Sequence, residues 1–427
     1  IWVAEGIYTP TQEFSPGDPR SATFQLKNGV ALYGGFDPTV GDLGWRYRDW
    51  ANNVTILSGD IGTAGEPGDN SYHVFYHPPE LALDNTAILD GFMVSGGNAS
   101  SVSATHDSGG GMYNDSSSPT VINCTFWGNS ADWQGGGMYN HSSSPAVTNC
   151  IFVDNTADWY GGGMFNWLSW PVMTNCTFDG NSAFNGGGMF IANSSPTLTN
   201  CTFSGNSASG SGGGMLSAGS TPTVTNCILW RDSPDEIYSA DNGAVVAYSD
   251  IQGGYSGNGN IDADPLFVDP STGDYHLGPS SPCIDAGTND APNLPDYDFE
   301  GDPRVMDGDG DGTAIVDMGL DEALAIYPAV IYVDRDAAGE NNGTSWEDAL
   351  TDLQDALAWA VDGVEIWVAE GLYTPSQEFS PGDPRSATFQ LINGVALYGG
   401  FDPTVGDVGW EDRDWVNNVT ILSGDIG

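Results

Sequence analysis

Residues 98–230 repeat one phrase of single apolar positions set among Thr, Ser, Asn and Gly, close to SSPTVTNCTFxGNSAxxxGGGM. GGGM recurs with its methionine at Met112, Met138, Met164, Met189 and Met215. Cysteines recur at Cys124, Cys150, Cys176, Cys201 and Cys227, and both series step by 26, 26, 25 and 26 residues. Phe126-x-x-Asn129, Phe152-x-x-Asn155, Phe178-x-x-Asn181 and Phe203-x-x-Asn206 keep the same frame, and an Asn precedes each of the five cysteines. A fixed period in the twenties marks a solenoid. The unit offers β-branched residues and Phe broken by Gly, Asn and Pro, without the apolar stripe a helix would need. It predicts strands and corners.

Stacked units of this kind place each residue about 4.8 Å above its counterpart, the spacing of paired strands. Each unit becomes one coil of a parallel β-helix, with Val, Cys, Phe and Met forming internal files. Asn at a tight corner tolerates left-handed backbone and can bond its counterparts above and below. The triple glycine permits a sharp corner and close chain packing. No coil buries its apolar face alone, so stability comes from neighbours. The clear pattern accounts for about five coils.

A second repeat is much longer. The segment from Ile1 to Gly62 returns from Ile366 to Gly427, offset by 365 residues with 55 of 62 positions identical. The sharpest differences are Arg46 and Tyr47, which become Glu411 and Asp412. The later copy follows a lead-in, IYVDRDAAGENNGTSWEDALTDLQDALAWAVDGVE, that does not precede Ile1 in this chain. The simplest reading is a recent tandem duplication seen through a window on a longer chain. Ser345-Trp-Glu-Asp348 reads as a capping box opening a helix over about 346–361. Ala349, Leu350, Leu353, Leu357 and Ala360 would share one face of it. Such a helix could cap an open solenoid end, where sheet edges invite unwanted pairing. The stretch from Ala323 to Ala329 is too short for a flexible tether, so consecutive modules are expected to hold a fixed orientation.

Charge narrows the functions. Nine Lys and Arg stand against 57 Asp and Glu, for a formal charge of −48. Such a field repels phosphate, which argues against nucleic acid and anionic membranes as partners. Only 15% of residues are charged and 39% are hydrophobic, so a core is affordable and an acidic disordered tail is excluded. No apolar run is long enough to span a bilayer. The five laddered cysteines and Cys283 are expected as buried free thiols, because stacked side chains on parallel strands point the same way and suit a disulfide poorly.

The CTFxxNSAxxxGGGM pattern resembles the FxxN and GGA repeats of polymorphic outer-membrane proteins, which are surface-exposed bacterial β-helices; GGGM departs from that family's GGA-aliphatic form. NIDADPLFVDPSTGDYHLGPSSPCIDAG and DFEGDPRVMDGDGDGTAIVDMGLDE are similar to C-terminal segments of secreted bacterial right-handed β-helix proteins, and the lead-in resembles their N-terminal openings. The resemblance implies an all-β, right-handed parallel β-helix with about 26 residues per coil and one short capping helix, placed outside the cell or on its surface. Along the chain the expected divisions are irregular coils with loop insertions (1–97), regular coils (98–230), terminal coils with an Asp/Gly-rich segment (231–325), and the lead-in and start of the next module (326–427).

Candidate chemistry is sparse. Asp307, Asp309 and Asp311 alternate with Gly, as hard oxygen ligands for calcium would. The twelfth position of an EF-hand loop would be Met318, so the match is partial, with Asp317 beside it as a fourth ligand candidate. Pectate lyases and polygalacturonases resemble this fold in architecture, but residues 49–230 hold no Arg or Lys to serve a lyase. Asp132 and Asp158 read as a repeated turn, and the five histidines as solvated or loop residues. The expectation is therefore that the chain is not an enzyme. Trp127, Trp133, Trp159, Trp167 and Trp170, with Tyr139 and Tyr160, read first as packed or partly buried, and otherwise as a stripe for sugars or a protein partner. Of ten Asn-x-Ser/Thr sequons, Asn98, Asn140 and Asn342 are the better glycan acceptors if the organism glycosylates. The expected function is a structural segment of an extracellular tandem-repeat fibre, filament or adhesin, with neighbouring modules or copies of itself as partners. The alternatives are a glycan-binding module or a polysaccharide lyase or hydrolase.

Overall fold

A phrase with strand formers at several places and Gly, Asn or Pro between them closes into short strands joined by corners. The computed structural model describes all residues except 41–44, 46–47, 102–105, 242, 279, 311, 324–329, 340, 342, 361–363, 377–383, 392–393, 406–408 and 426–427. The chain divides into two compact units, residues 1–309 with 313–324, and residues 310–312 with 325–427.

The first unit is a parallel β-helix. Two nine-stranded parallel sheets run through it, one from Trp2–Ala4 to Val245–Ala247 and the other from Gly6–Tyr8 to Asp250–Ile251. A seven-stranded sheet carries the methionines of the GGGM phrases, and a five-stranded sheet of two-residue strands completes the coils. Pairing is one-to-one between repeats: Val121 with Val147, Phe126 with Phe152, Met138 with Met164. The sheets already start at Trp2, so residues 1–97 form coils of the same solenoid, widened by loops.

Inside, like stacks on like. Phe126, Phe152, Phe178 and Phe203 form a file with ring centroids 4.9, 4.7 and 4.5 Å apart and nearly parallel planes. Each buried ring contributes roughly 2 kcal/mol of transfer free energy. All six cysteines are buried and unbridged. Burial pushes the thiols of Cys150, Cys176 and Cys227 well up, which keeps them protonated.

Polar residues are stacked by the same rule. Asn155 Nδ2 donates to Asn181 Oδ1 at 3.0 Å and to the Phe126 carbonyl at 2.8 Å, and Asn129 and Asn181 repeat the pattern. This file ends where Asp232 accepts from Asn206 Nδ2 at 2.8 Å. A second buried file joins Asn114, Asn140 and Asn166 at 2.9 Å per step. His77 heads it, with Nδ1 2.7 Å from Asn114 and Nε2 accepting from the Leu26 amide. Burial lowers the His77 pKa to about 4, so the ring is neutral. The five asparagines before the cysteines all have φ between 50° and 53°, as left-handed corners require. In GGGM, Gly135 supplies positive φ, while a methyl on Gly136 would lie 2.2 Å from the Thr156 carbonyl oxygen. Coils could not close that tightly around any larger residue.

Three expectations are corrected here. Asn140 is fully buried in its file, so it is no glycan acceptor; Asn342 lies outside the described residues. His77 is buried within the strand Phe75–His77, neither solvated nor in a loop, while His73 lies in a loop but is buried. The tryptophans Trp127, Trp133, Trp159, Trp167 and Trp170 are exposed, not core-facing: Trp127 and Trp167 end strands and the others lie in the turns between strands.

The second unit is a parallel sheet of Val330–Val333, Glu365–Ala369 and Ala396–Phe401, with a pair formed by Gly371–Tyr373 and Thr420–Leu422. Its registers reproduce those of the first copy: Trp367 with Tyr398 as Trp2 with Tyr33, and Gly371 with Thr420 as Gly6 with Thr55. The helix is shorter than expected, Leu353–Trp359, and its cap is Asp352 rather than Ser345. Leu350 is extended, donating to Tyr332 and accepting from Asp334, which holds the chain out of helix until Asp352. Ala349, Leu350, Leu353, Leu357 and Ala360 are buried as the pattern required.

Candidate functional site

After the last coil an antiparallel hairpin forms, Phe267–Asp269 with Asp274–Leu277. The acidic segment that follows straps back along the corner between the two large sheets. The corner asparagines hold it: Asn175 donates to the Tyr297 carbonyl, Asn200 to the Asp317 and Gly319 carbonyls, and Asn226 to the Thr288 carbonyl. Arg304, buried beneath the strap, donates to Asn175 Oδ1 and the Gly319 carbonyl. Its guanidinium lies 3.6 Å from Glu322, in the field of Asp298, Asp317 and Asp321. Burial and the Asp317 charge push Glu322 up to about 9, and burial raises Asp317 to about 7. Arg304 therefore balances a set of carboxyl groups rather than one fixed partner. The strap was not foreseen from sequence, although Arg304 is the sole Lys or Arg between Arg231 and Arg335 in an acid-rich stretch.

The expected calcium ligands separate. Asp307 and Asp309 do converge, joined by Asp285, so that three carboxylate oxygens lie within 4.8 Å of one another. Asp317 turns the other way and accepts from the Asp285 and Ala323 amides inside the strap. Asp311 lies outside the described residues. Asp285, which sequence spacing missed, enters because a left-handed turn at its own position (φ 51°) brings it under the Asp307–Asp309 loop, where it accepts from the Asp309 amide. A second convergent group is His276, Glu300 and Asp321. His276 is held between Asp274 and Glu300, and these carboxylates outweigh partial burial to raise it to about 9.

Between the strap and the outer face of the second sheet lies a cleft of about 720 Å³. Trp50, Ile151, Asp154 and Asp179 form one side, and Asp274 to His276 with Phe299 the other. Burial raises the Asp179 carboxyl, aided by Asp154 and opposed by the Tyr275 hydroxyl. The cleft pairs apolar rings with carboxyl groups, a lining suited to neutral or cationic ligands and hostile to polyuronates.

A separate surface carries the tryptophans. Trp133 and Trp159 lie 5.2 Å apart, Phe184 follows at 5.7 Å from Trp159, and Trp167 stacks on His141 at 4.9 Å. Tyr139 belongs instead to a buried stack with Tyr76, Tyr113 and Phe165.

With this geometry in hand, residues 81–196 and 172–257 match the family described as the right handed beta helix region. The fold and the repeats together define a right-handed β-helix protein. No curated protein matches the chain. Among solved structures, pectate lyase Pel9A is similar over 75% of this chain and 87% of its own, at 13% identity and a TM-score of 0.34. The expectation that the chain is not an enzyme does not stand. A β-helix enzyme is among the structures it matches, and a solenoid without Arg or Lys over 49–230 does not exclude catalysis on this fold. The likeness assigns no activity to these residues.

Proposed function

We propose that this chain is a structural segment of an extracellular tandem-repeat fibre, filament or surface adhesin, whose modules stack with neighbouring modules or copies of themselves. The observation that carries the reading is the repeat in register. Two copies of a 62-residue segment build the same strand pairs, and the later copy is joined on its outer side by a strand of its own lead-in, Val330 with Glu365 through Val333 with Val368. Each module so begins with an element shaped to close a solenoid edge, and a duplicated rigid coil extends reach without new chemistry. The resemblance to polymorphic outer-membrane repeats and the acidic surface favour a place outside the cell. Electron microscopy of the native material tests this: a fibre with an axial repeat is expected, and isolated particles would refute it.

The same reading places calcium at Asp285, Asp307 and Asp309, where one divalent ion relieves three converging charges. Chelation should lower the melting temperature, and Asp309→Ala should remove most of that response. An unchanged melting curve in excess chelator would rule the ion out. A glycan-binding role is the second reading, favoured by the exposure of Trp133, Trp159, Trp167 and Trp170. A glycan array on the wild type and on Trp133→Ala with Trp159→Ala separates it, since binding lost in the double variant would assign the stripe.

A further inference from the structure

Three segments of the first unit bring an imidazole and two carboxylates to one place. His276 lies on the hairpin strand Asp274–Leu277, Glu300 on the strap, and Asp321 near the strap's end. One ligand atom from each falls within 4.8 Å of the others. Each of the three is fixed by a group outside the cluster. The Asp274 carboxylate accepts from the His276 amide at 3.1 Å and lies 2.5 Å from Nδ1, which leaves Nε2 facing Glu300 at 2.9 Å. Phe299 packs beside the imidazole at 5.6 Å. Glu300 sits on a turn closed by Asp298, whose Oδ1 accepts from the amides of Glu300, Gly301 and Asp302.

A protonated His276 is already matched by Asp274 and Glu300. Asp321 is then a carboxylate in excess. It is only 5% exposed, and the Leu277 amide bonds its Oδ2 at 2.9 Å. Among the described residues no hydrogen-bond donor reaches its Oδ1. An ion pair does not need this third acid; an ion held by all three groups does.

We propose that His276 Nε2, Glu300 and Asp321 form a binding site for a divalent transition-metal ion of the zinc class, with Asp274 as the positioning residue that orients the imidazole. The proposal does not depend on the fibre reading, and the site is separate from the all-oxygen group at Asp285, Asp307 and Asp309. A nitrogen ligand selects zinc and its neighbours over calcium and magnesium, which take oxygen. A carboxylate on the far ring nitrogen fixes the tautomer and strengthens the ligating nitrogen. Binding releases one proton, from Nε2 to solvent, while the Nδ1 proton stays on its bond to Asp274. Three protein ligands leave a fourth tetrahedral position for water or for a group of a molecule in the cleft, of which His276 is a wall. The ion would also tie the hairpin to two points of the strap.

The test titrates zinc chloride into the chelator-treated full chain, with calcium in excess to occupy all-oxygen sites. In nitrogen NMR of histidine-labelled protein, the Nε2 resonance of His276, assigned through His276→Gln, should shift with zinc and stay in place with calcium alone. Glu300→Gln and Asp321→Asn should each weaken the zinc response of that resonance at least about tenfold, and Asp274→Ala about tenfold. Zinc should slow proteolysis within the strap of the wild type and not of Glu300→Gln. Glu300 is exposed, so its variant keeps the test sound if Asp321→Asn or Asp274→Ala loosens the strap. A His276 resonance that saturating zinc does not move would overturn the proposal. So would zinc binding of equal strength in wild type and Glu300→Gln, which would mean adventitious binding to surface carboxylates only.

Discussion

The regular coils and the acidic strap are held together in opposite ways. Between Met112 and Trp230 the core interactions are repeated on several coils, and the buried polar groups are neutral amides and hydroxyls: Asn129 to Asn206 in one file, Ser117, Ser143, Ser169, Ser194 and Ser220 in another. The strap makes each contact once, and its buried polar groups are ionisable: Arg304, Asp317, Asp321 and Glu322. Repetition spreads the cost of one change over neighbours that still pair. A single set of buried charges concentrates it on one residue.

The largest effect should come from Arg304→Met. Removing the guanidinium takes a buried cation and its hydrogen bonds from Asn175, the Gly319 carbonyl and the carboxyl groups around it, at a cost of about 3–5 kcal/mol. Limited proteolysis should then cut within the strap while the coils stay intact. Equal protection of strap and coils would break the contrast.

Asn155→Ala should cost about 2–3 kcal/mol, because it strands the Asn129 amide and side chain and the Phe126 carbonyl together. Thermal denaturation checks it. A loss below that of an exposed substitution would mean that the file carries no stability.

The pH response should also divide the two regions. Asp317 and Glu322 are raised to about 7 and about 9, and Asp250 near the hairpin to about 6, all mainly by burial. The folded strap so keeps protons that the unfolded chain releases near pH 4. The stability they contribute is present below that pH and is lost as pH climbs through about 6 to 9. Protease sensitivity of the strap should rise over that window while the coils from Met112 to Trp230, whose buried polar groups are neutral amides and hydroxyls, remain resistant. A strap that tightens as pH rises would contradict these assignments.

Asp232→Asn sharpens the comparison at the boundary. Asp232 ends the asparagine file as an acid beside Glu236, and burial with that neighbour pushes its pKa up. An amide would keep the acceptor that Asn206 uses without holding a proton that the unfolded chain releases, so a gain of about 1 kcal/mol near neutral pH is expected, with a flatter pH profile. Destabilisation would show that the acid is needed where it stands.

The same contrast explains what could be read in the sequence. Repetition is visible in one dimension: the steps of the Met and Cys series give the coil, and Asn before each Cys gives the left-handed corner. The strap is not repeated, so nothing in the spacing of Arg304 or Asp317 announces that they meet Asn175 and Asn200 more than a hundred residues away. Local spacing could pair Asp307 with Asp309 but could not bring in Asp285, which depends on a turn 22 residues earlier. The helix face was legible, while its start was not, because the pairing of Leu350 with the Val330–Val333 strand overrides a local cap at Ser345.

The central claim is that coils, and the lead-in that closes them, make consecutive modules into one continuous stack. Small-angle X-ray scattering from a chain of two complete 365-residue modules tests it most directly. A maximum dimension near twice that of one module, with a narrow distance distribution, is the predicted result; a broad distribution weighted to shorter distances would show hinged beads and contradict the account.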